Sequence, residues 1–482
     1  PVTAFVGASY FSENGSQRTP AQFDERVTLA QIAGALNGFI PGRPATDPAP
    51  MSLIGNTGFT SLLLQGVAAA SGYALPASGT CNGLTVAANC IAANLKPIHR
   101  EEQTNFSETK AIDIFGDVTT KIGDKIEVGA GVRYTRDDKT TGVQAEISNG
   151  RSILGGFIGA LSQSEPTRTA LLAALGAPGA ANIPPSPGYP VPVFGLTFQA
   201  TPGNGVVEQE NDDTGFTWRL FGRYEPNPDS SLYAIYARGR RPDVLTALPP
   251  ALPGAPARFI LSDAETVDSY ELGAKTALLG RTLYLDAAAF YYKYRNFQTT
   301  EQIGTTFVTT NAGEADSYGL EAQARYNPSR AIRLFANYAY NHARFRTGLR
   351  DGNRFRLSPD HTFSAGATLA AAVGGGRVDF TPSVTYQSKV YFDDDNDRPD
   401  LQTIARGKIV PDLFQDEFQN GFALVSARLG YTLGGLRAEA FVENLLDKAY
   451  IKDAGNTGDA LGLATFVPGE PRTYGIQLTG RF

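Results

Sequence analysis

The chain contains few residues of the types that perform catalysis or bind metals, and those few are scattered. Its three histidines are His99, His342 and His361, which lie far apart in the sequence. The sequence has no HExxH, phosphate-binding-loop or GxSxG motif. A polar lumen lining or rim explains the place of His342 beside Asn341 and Arg344. We therefore expect no enzyme and no bound cofactor.

The densest acidic run is the segment 393–397, whose sequence is DDDND. Carboxylate oxygens bind calcium, so Asp393, Asp395 and Asp397 form one candidate calcium site. The run lacks the glycine and the terminal glutamate of an EF-hand loop. A solvated acidic loop tip is therefore the favoured interpretation, and no other metal site is expected.

Two cysteines, Cys81 and Cys90, are the only ones in the chain. Their spacing is not that of a CxxC motif, and no further cysteine is available to complete a metal site. In the cell envelope such a pair forms a disulfide within one loop more often than it binds a metal. We expect a disulfide in an extracellular loop.

Composition excludes several classes of protein. The net charge of −6 disfavours a general nucleic-acid binder. The mean hydropathy is −0.19 and no apolar run reaches about 18 residues, which disfavours a helical membrane protein. The 28 phenylalanines, 21 tyrosines and 52 glycines suit the aromatic girdles and tight turns of a membrane barrel.

Alternation with a period of two residues is the strongest pattern in the chain. In the last segment Tyr474, Ile476 and Leu478 share one face, whereas Gln477 and Thr479 share the other. An apolar row that faces lipid beside a polar row that faces a lumen is typical of a transmembrane β-barrel. Soluble sandwiches also alternate, so the lengths of the connections must separate the two classes.

The pattern predicts about fourteen antiparallel strands joined by alternating short and long connections. The strands are predicted at 3–12, 107–120, 125–139, 213–225, 229–239, 265–279, 281–298, 314–327, 330–346, 358–371, 377–392, 418–433, 435–447 and 470–482. The long connections are 13–106, 140–212, 240–264, 299–313, 347–357, 393–417 and 448–469. Short periplasmic turns and long extracellular loops indicate an all-β outer-membrane barrel.

The two longest loops contain helix-like stretches at 24–40, 52–70 and 152–175, which are apolar and carry few charges. Phe157 and Leu161 of the third stretch are candidate ligand contacts. Exposed apolar helices on a cell surface must be covered. Two interpretations stay open: the helices pack on each other or on the barrel rim, or they form a lid over a partly hydrophobic substrate or dock a surface lipoprotein.

The most specific motifs lie near the end of the chain. Residues 441–450 read FVENLLDKAY and residues 468–475 read PGEPRTYG, and the chain ends in Phe482. Earlier segments of the same series are LYAIYARG at 232–239, ETVDSYELGAK at 265–275, NAG at 311–313 and GLE at 319–321. Together and in this order, these motifs resemble those of TonB-dependent outer-membrane receptors.

The resemblance implies that the C-terminal motif residues determine fold and assembly rather than contact substrate. An Asn or Asp after a strand fixes the turn by hydrogen bonds from side chain to backbone, and prolines fit a strand entry. The final Phe resembles the signal read by the barrel-assembly machinery. The motif residues are Asn444, Leu445, Asp447, Tyr450, Pro468, Gly469, Pro471, Arg472, Tyr474 and Phe482.

Barrels of this family have about 22 strands around a plug domain. The resemblance therefore implies that residues 1–482 are the C-terminal part of such a barrel. In that interpretation the N-terminal plug and about eight strands precede Pro1 and are absent from this chain.

The resemblance also implies a function: import of a scarce nutrient across the outer membrane of a Gram-negative bacterium. A ferric siderophore is the commonest cargo of the family, and the TonB–ExbB–ExbD complex supplies energy through the plug. Lipid and lipopolysaccharide surround the barrel, and the substrate is a small molecule. The alternative is a passive fourteen-stranded channel of the fatty-acid-transporter type, with a surface-binding or adhesion protein as a third class.

Overall fold

The computed structural model describes residues 2–33, 51–82, 86–303, 306–403, 415–455 and 465–481. Strands dominate it, and helices occur only in two long connections. From the N-terminus the strands are β1 (Val2–Phe23), β2 (His99–Ile122), β3 (Ile126–Ile147), β4 (Val207–Asn227), β5 (Ser230–Arg241), β6 (Val244–Leu248), β7 (Arg258–Ser262), β8 (Glu265–Leu278), β9 (Leu283–Arg295), β10 (Gln298–Ile303), β11 (Thr306–Asn311), β12 (Ala315–Ser329), β13 (Ile332–Phe345), β14 (His361–Val373), β15 (Gly376–Gln387), β16 (Val390–Tyr391), β17 (Phe418–Gln419), β18 (Phe422–Leu433), β19 (Leu436–Glu443), β20 (Ile451–Ala454), β21 (Phe466–Pro468) and β22 (Thr473–Gly480).

Fourteen of these strands form one antiparallel sheet in the order β1-β2-β3-β4-β5-β8-β9-β12-β13-β14-β15-β18-β19-β22. Each strand pairs with the one before it in this order. The sheet is therefore a simple antiparallel meander. The prediction of about fourteen antiparallel strands is confirmed. The edge strands are β1 and β22, and the described residues contain no pairing between these two.

The four strands nearest the N-terminus are longer than the alternation predicts. β1 pairs with β2 from Val2 opposite Thr120 to Phe23 opposite His99, and β3 and β4 are extended in the same way. The predicted connections 13–106 and 140–212 are therefore wrong in extent and shorten to 24–98 and 148–206. Above the apolar band both faces of these strands are polar, so no alternation marks them, and backbone pairing alone continues the ladder.

Several predicted loops also contain short hairpins. β6 pairs with β7 inside the predicted connection 240–264, and β10 pairs with β11 inside 299–313. The pair β20–β21 lies inside the connection 448–469, whereas β16 and β17 flank the connection 393–417 at its two ends. Each of these strands has two to six residues, too few for a periodic signal.

The apolar row of the sheet faces outward and the polar row faces inward. On β22, Tyr474, Ile476 and Leu478 are each nearly four-fifths exposed. Exposed large apolar side chains in a regular row are the reverse of a water-soluble sheet and match a surface solvated by lipid. We call the polar side the inner face.

The helices belong to the two longest connections, as predicted. They are α1 (Glu25–Ile32), α2 (Met51–Ile54), α3 (Thr57–Ala70), α4 (Ala88–Asn94), α5 (Ile153–Leu161) and α6 (Thr167–Leu175), with 3-10 turns at Ala180–Asn182 and Pro202–Asn204. Among the described helices, none is long and apolar enough to cross a membrane. Residues 34–40 of the predicted stretch 24–40 lie outside the described residues.

The two connections pack together around one hydrophobic core. We call this unit the cap: residues 24–33, 51–82, 86–98 and 148–206. Its core includes Leu29 of α1, Leu64 of α3, Ile91 of α4, Phe157 of α5 and Leu172 of α6, all fully buried. The cap thus has the anatomy of a small water-soluble domain placed on a membrane-type sheet.

Candidate binding surfaces of the barrel and its cap

Three carboxylates from neighbouring strands lie close together on the inner face. Glu271 of β8 is opposite Phe290 of β9, and Glu321 of β12 is opposite Ala288, the next inward residue of β9. Asp286 follows as the next inward residue of β9. Since neighbouring strands are about 4.8 Å apart, the register places the three side chains around one spot, which we call the acidic lumen patch.

Asp286 and Glu321 of the acidic lumen patch line a concavity of about 760 Å3. Lys275 and Asn337 contribute to the same wall. The Tyr233 hydroxyl donates a hydrogen bond of 2.7 Å to Oε1 of Glu271, which fixes one carboxylate. With three carboxylates and one lysine, this wall suits a partner that carries positive charge.

Elsewhere on the inner face several arginines are matched by carboxylates. Arg219 lies 2.8 Å from Asp117, and Arg437 lies 2.6 Å from both Asp379 and Glu439. The pairs Arg219–Asp117 and Arg437–Asp379 each reach across one intervening strand, β3 and β18 respectively, so the register that brings them together also neutralises them. The acidic lumen patch therefore differs in charge from these neutralised parts of the wall.

A buried carboxylate joins the two halves of the cap. Glu25, the first residue of α1, is fully buried and accepts hydrogen bonds from Ser152 Oγ at 2.6 Å and from the Ile153 amide at 3.0 Å. Its other oxygen accepts the Lys96 amide at 2.8 Å. Burial raises the pKa of the Glu25 carboxyl. Because Ser152 also caps α5 through the Gly155 amide, Glu25 holds the start of that helix.

A second buried carboxylate links the cap to the sheet. Glu101 of β2 bonds His99 Nε2 at 2.9 Å, and it also accepts from the Leu196 amide and the Thr197 hydroxyl. Lys96 Nζ donates to the Asn149 carbonyl at 2.6 Å, and burial lowers the pKa of that lysine. Strand β2 and both long connections are therefore fastened at one polar junction.

The predicted loop contacts, Phe157 and Leu161, lie inside the cap. Phe157 is fully buried and Leu161 nearly so, and both belong to the core shared by the helices. In this arrangement the loop helices pack on each other, which is the first of the two interpretations that the sequence left open. Contact of either side chain with a ligand stays a prediction that requires the cap to open.

Cys81 and Cys90 are joined by a disulfide within the first connection. The bond ties the coil before α4 to that helix, in which Cys90 is buried. It therefore closes a small loop at the border of the cap core and has no place on the inner face of the sheet.

The acidic run 393–397 is not a solvated loop tip, contrary to the sequence-based expectation. Asp394 is buried and accepts from the Thr299 hydroxyl and the Arg356 amide, and Asp395 lies 3.2 Å from Arg350. Asp397 accepts the Glu417 amide at 3.0 Å. These carboxylates can be buried because basic, hydroxyl and amide groups of other segments form ion pairs and hydrogen bonds with them.

The candidate calcium ligands Asp393, Asp395 and Asp397 gain no support from the geometry. Within the described part of the chain, no group of three or more His, Cys, Asp or Glu side chains is placed to hold a metal ion. His342, placed by sequence on a lumen or rim, lies on the outer face, where its ring packs 4.9 Å from that of Tyr318.

The C-terminal motif forms the junction between β19 and β22. Asn444 adopts a positive φ of 48° and is 5% exposed. Its amide nitrogen donates to the carbonyls of Lys448 and Glu470, both at 3.0 Å, and its oxygen accepts the Lys448 amide. A side chain with both a donor and an acceptor is required here, which explains an Asn.

The remaining motif residues close the same junction. Asp447 accepts the Arg472 amide at 3.0 Å, and the Leu445 amide donates to the Val425 carbonyl. A Cβ at Gly469 would meet the ring of Tyr450 at 2.4 Å, so any larger residue would have to displace that ring. Pro468 ends β21, Pro471 accepts the Thr473 hydroxyl, Tyr474 faces outward, and Phe482 lies outside the described residues.

A family model described as the β-barrel of TonB-dependent receptor-like proteins matches residues 46–445. The chain belongs to this family. Its fourteen-stranded sheet, long external connections and last-hairpin junction are therefore those of a receptor barrel in the outer membrane of a Gram-negative bacterium. The family is one of receptors and transporters rather than enzymes.

Several known proteins are similar to this barrel. A ferrioxamine receptor of Yersinia enterocolitica is 29% identical over 191 residues, which cover 39% of this chain and 24% of that receptor. The ferric yersiniabactin uptake receptor of Yersinia pestis superposes with a TM-score of 0.57 at 18% identity, covering 80% of this chain and 49% of that one. The ferric-catecholate import receptor of E. coli K12 gives 0.52 at 17% identity, covering 80% and 51%.

These relatives differ from the chain in length. The chain spans about half of the two structures and about a quarter of the ferrioxamine receptor. At 17–18% identity the structural likeness shows the fold alone.

Proposed function

We propose that the chain forms most of the wall of an outer-membrane receptor that imports a ferric siderophore with energy relayed by TonB. The observation that carries this proposal is the open sheet of fourteen strands, whose edges β1 and β22 do not pair with each other in the described residues. An unpaired strand edge is costly in lipid, where no water satisfies the backbone. Further strands beside β1 and β22 would complete a wider barrel, with residues 1–482 as its C-terminal part.

A barrel of about 22 strands is a leak unless something fills it. The acidic lumen patch supplies carboxylates to which the basic groups of a plug domain would bind, since the register gathers Glu271, Asp286 and Glu321 around a single lysine, Lys275. We propose that a plug docks on this wall and passes the pull of the TonB–ExbB–ExbD complex to the barrel. The cargo follows from the relatives, whose names are those of receptors for ferrioxamine, ferric yersiniabactin and ferric catecholates.

The passive fourteen-stranded channel is the weaker alternative. It requires β1 to pair with β22, a pairing that the described residues do not contain. A self-closed barrel of that kind would also have no need for an acidic wall that faces a docking partner.

Other partners follow from the surfaces of the barrel and the cap. On the outer face Tyr236, Tyr270 and Tyr291 form a row of stacked rings, which suits the border between lipid hydrocarbon and headgroups. Just beyond it, Arg238 and Arg295 flank Asp268 at 2.7 Å and 2.6 Å, where lipopolysaccharide would lie. Assembly through Phe482 and docking of a surface lipoprotein on the cap belong to the same proposal, which includes neither catalysis nor a resident cofactor.

Charge removal at the acidic lumen patch tests the docking step. The double variant Glu271→Gln with Glu321→Gln should loosen the plug, so that cells admit large antibiotics and take up less ferric siderophore. Gln323→Ala on the same face of β12 is the matched control and should change neither property. Unchanged permeability and uptake in the double variant, at normal surface level, would contradict a plug held by these carboxylates.

A further inference from the structure

The hairpin β6–β7 folds inward across the mouth of the barrel and is fastened at its base. Lys139 Nζ donates to the Asp243 carbonyl at 2.5 Å and lies 3.2 Å from its carboxylate. The same carboxylate accepts from Asn211 Nδ2 at 3.1 Å, and the Asp243 amide donates to Asp213 at 2.9 Å. These bonds attach the start of the hairpin to the inner faces of β3 and β4.

The second strand of the hairpin is fastened at the same base. Ser262 Oγ donates to the Thr309 carbonyl of β11 at 2.7 Å. Gln298 Nε2 donates to the carbonyls of Pro242 and Asp263 at 2.9 Å and 3.0 Å, and so clamps both ends together. The hairpin is therefore a fixed wall rather than a loose loop.

A pocket of about 430 Å3 lies between this hairpin and the extended parts of β1, β2 and β3. That volume is within the range of small-molecule sites. We call it the mouth pocket. Its polar lining comes from Gln17, Gln103, Asn105, Ser107 and Thr141.

Apolar groups close the opposite side of the mouth pocket. Leu245 of β6 is buried, whereas Phe307 of β11 is half exposed and presents its ring. None of the described residues that line the pocket carries a charge. The site thus combines hydrogen-bonding groups with apolar surface and offers no counter-ion.

The amide pair at the centre has free capacity for hydrogen bonds. Gln103 Nε2 donates to Asn105 Oδ1 at 2.9 Å. Within the described residues, Oε1 of Gln103 and Nδ2 of Asn105 make no other hydrogen bond, which leaves one acceptor and one donor for a ligand. An amide, hydroxamate or hydroxyl group on a ligand matches this pair.

The nearest basic groups are already neutralised. Lys139 is held by Asp243, and Arg240 forms an ion pair with Asp213. A ligand with several negative charges would lose water on entering the mouth pocket and find no free cation there. A ligand of low net charge loses much less hydration free energy when it enters the pocket.

We propose that the mouth pocket binds the periphery of a ferric chelate of low net charge, through amide-type groups and an apolar contact with Phe307. This rests on the proposed function and narrows its cargo: a hydroxamate-type chelate fits the pocket, and a multiply charged catecholate or carboxylate chelate does not. Asn105 and Gln103 are the residues that discriminate between ligands of low and high net charge.

Binding to the complete receptor in outer-membrane vesicles tests this inference. The probes are ferrichrome, a neutral ferric trishydroxamate, and ferric enterobactin, a tricatecholate trianion. We expect ferrichrome to bind at least tenfold more tightly than ferric enterobactin. Asn105→Asp should weaken ferrichrome binding at least tenfold, because it replaces the free donor with a charge.

Two further variants separate charge recognition from misfolding. Asn105→Lys should weaken the preference for ferrichrome by improving the binding of the trianion, a gain that a misfolded receptor does not show. Thr104→Asp, on the outer face of the same strand, is the matched control and should leave binding of both probes unchanged.

The binding results distinguish a failure of this inference from a failure of the proposed function. Tighter binding of ferric enterobactin than of ferrichrome, or ferrichrome binding that ignores Asn105→Asp, overturns the inference while the receptor remains an importer of ferric chelates. Binding of neither chelate, with normal receptor level in the vesicles, overturns both the inference and the proposed cargo class.

Discussion

In the cap the large apolar side chains are hidden from solvent, whereas on the outer face of the sheet they are displayed. Phe157 and Leu64 are 0% exposed, while Ile476 and Leu478 are 78% and 79% exposed. The same classes of residue point in opposite directions because water surrounds the cap and hydrocarbon surrounds the sheet. Burial therefore identifies the core of the cap, whereas in the wall only the alternation of faces distinguishes lipid from lumen.

Polar groups differ between the two regions in the same way. In the cap and at its junction with β2, Glu25 and Glu101 are buried and held by backbone amides and hydroxyls across long sequence distances. In the wall, Asp117 and Asp379 are held by arginines two strands away in the sheet. The cap is joined by tertiary contacts and the wall by register, so each region should respond to a different kind of substitution.

Removal of a core ring should affect the cap most strongly. Phe157→Ala should destabilise the cap by about 3–5 kcal/mol, since it deletes a fully buried ring and leaves a cavity. Limited proteolysis on intact cells should then cleave residues 148–206, while the heat-modifiable barrel remains. The adjacent Ile158→Ala is the control, because Ile158 is 40% exposed. A lost barrel in Phe157→Ala would show that the two regions are not separable.

A charge introduced on the outer face should destabilise the wall. Ile476→Arg places a cation in lipid and should cost about 2–4 kcal/mol near the membrane centre, which would lower the amount of folded barrel. Gln477→Arg, one residue further on the inner face, should be tolerated. Surface labelling of both variants measures the difference, and equal levels would contradict the assigned faces.

The disulfide should matter to the cap alone. Replacement of both Cys81 and Cys90 by Ser should destabilise the cap by about 2–3 kcal/mol, because the bond closes a short loop of the unfolded chain. Mass mapping of a non-reduced digest checks the pairing first. Two free thiols in the wild-type protein, or an unchanged rate of cap proteolysis in the variant, would argue against this role.

Loss of the Glu25 carboxylate should give the smallest effect. Glu25→Ala leaves Ser152 Oγ and the amides of Ile153 and Lys96 without their acceptor, which costs about 1–3 kcal/mol in the cap. Glu25→Gln keeps one oxygen and should lie between the wild type and Glu25→Ala. Equal resistance of all three to proteolysis would mean that this junction does not hold the cap.

The same residue predicts a pH dependence of the cap. Burial raises the pKa of Glu25 above its ordinary value of 4.5, so the folded cap holds this proton more tightly than the unfolded chain. Its contribution to stability therefore grows as the pH falls from above the raised pKa towards 4.5 and levels off below. In Glu25→Gln the resistance of the cap to proteolysis should not rise as the pH falls from neutral to 4.5. An equal rise in the wild type and in Glu25→Gln would contradict the assignment of this pH dependence to Glu25.

The wall could be predicted from the sequence because its signal is local. Ile476 and Gln477 already show both faces, and short turns place neighbouring strands side by side. The upper parts of β1 and β2 could not be predicted, since residues 12–19 are almost all polar and carry no alternation. Hairpin β6–β7 was missed because five residues before a Pro pair give no periodic pattern.

The junction of the cap had no sequence signal at all. Glu25 and Ser152 are 127 positions apart, and a lone acid at the start of a helix reads as a surface charge. The acidic run 393–397 misled for a related reason, because its basic partner Arg350 lies 45 positions before Asp395. Long-range polar contacts are the part of this molecule that only the structure reveals.

Uptake of radioactive iron distinguishes an energised receptor from a passive channel. Cells that make the complete receptor should accumulate iron-55 from a ferric siderophore against a gradient, and the same cells without TonB should bind the chelate but not accumulate it. Accumulation that is equally fast without TonB would contradict an energised receptor and would favour the passive channel.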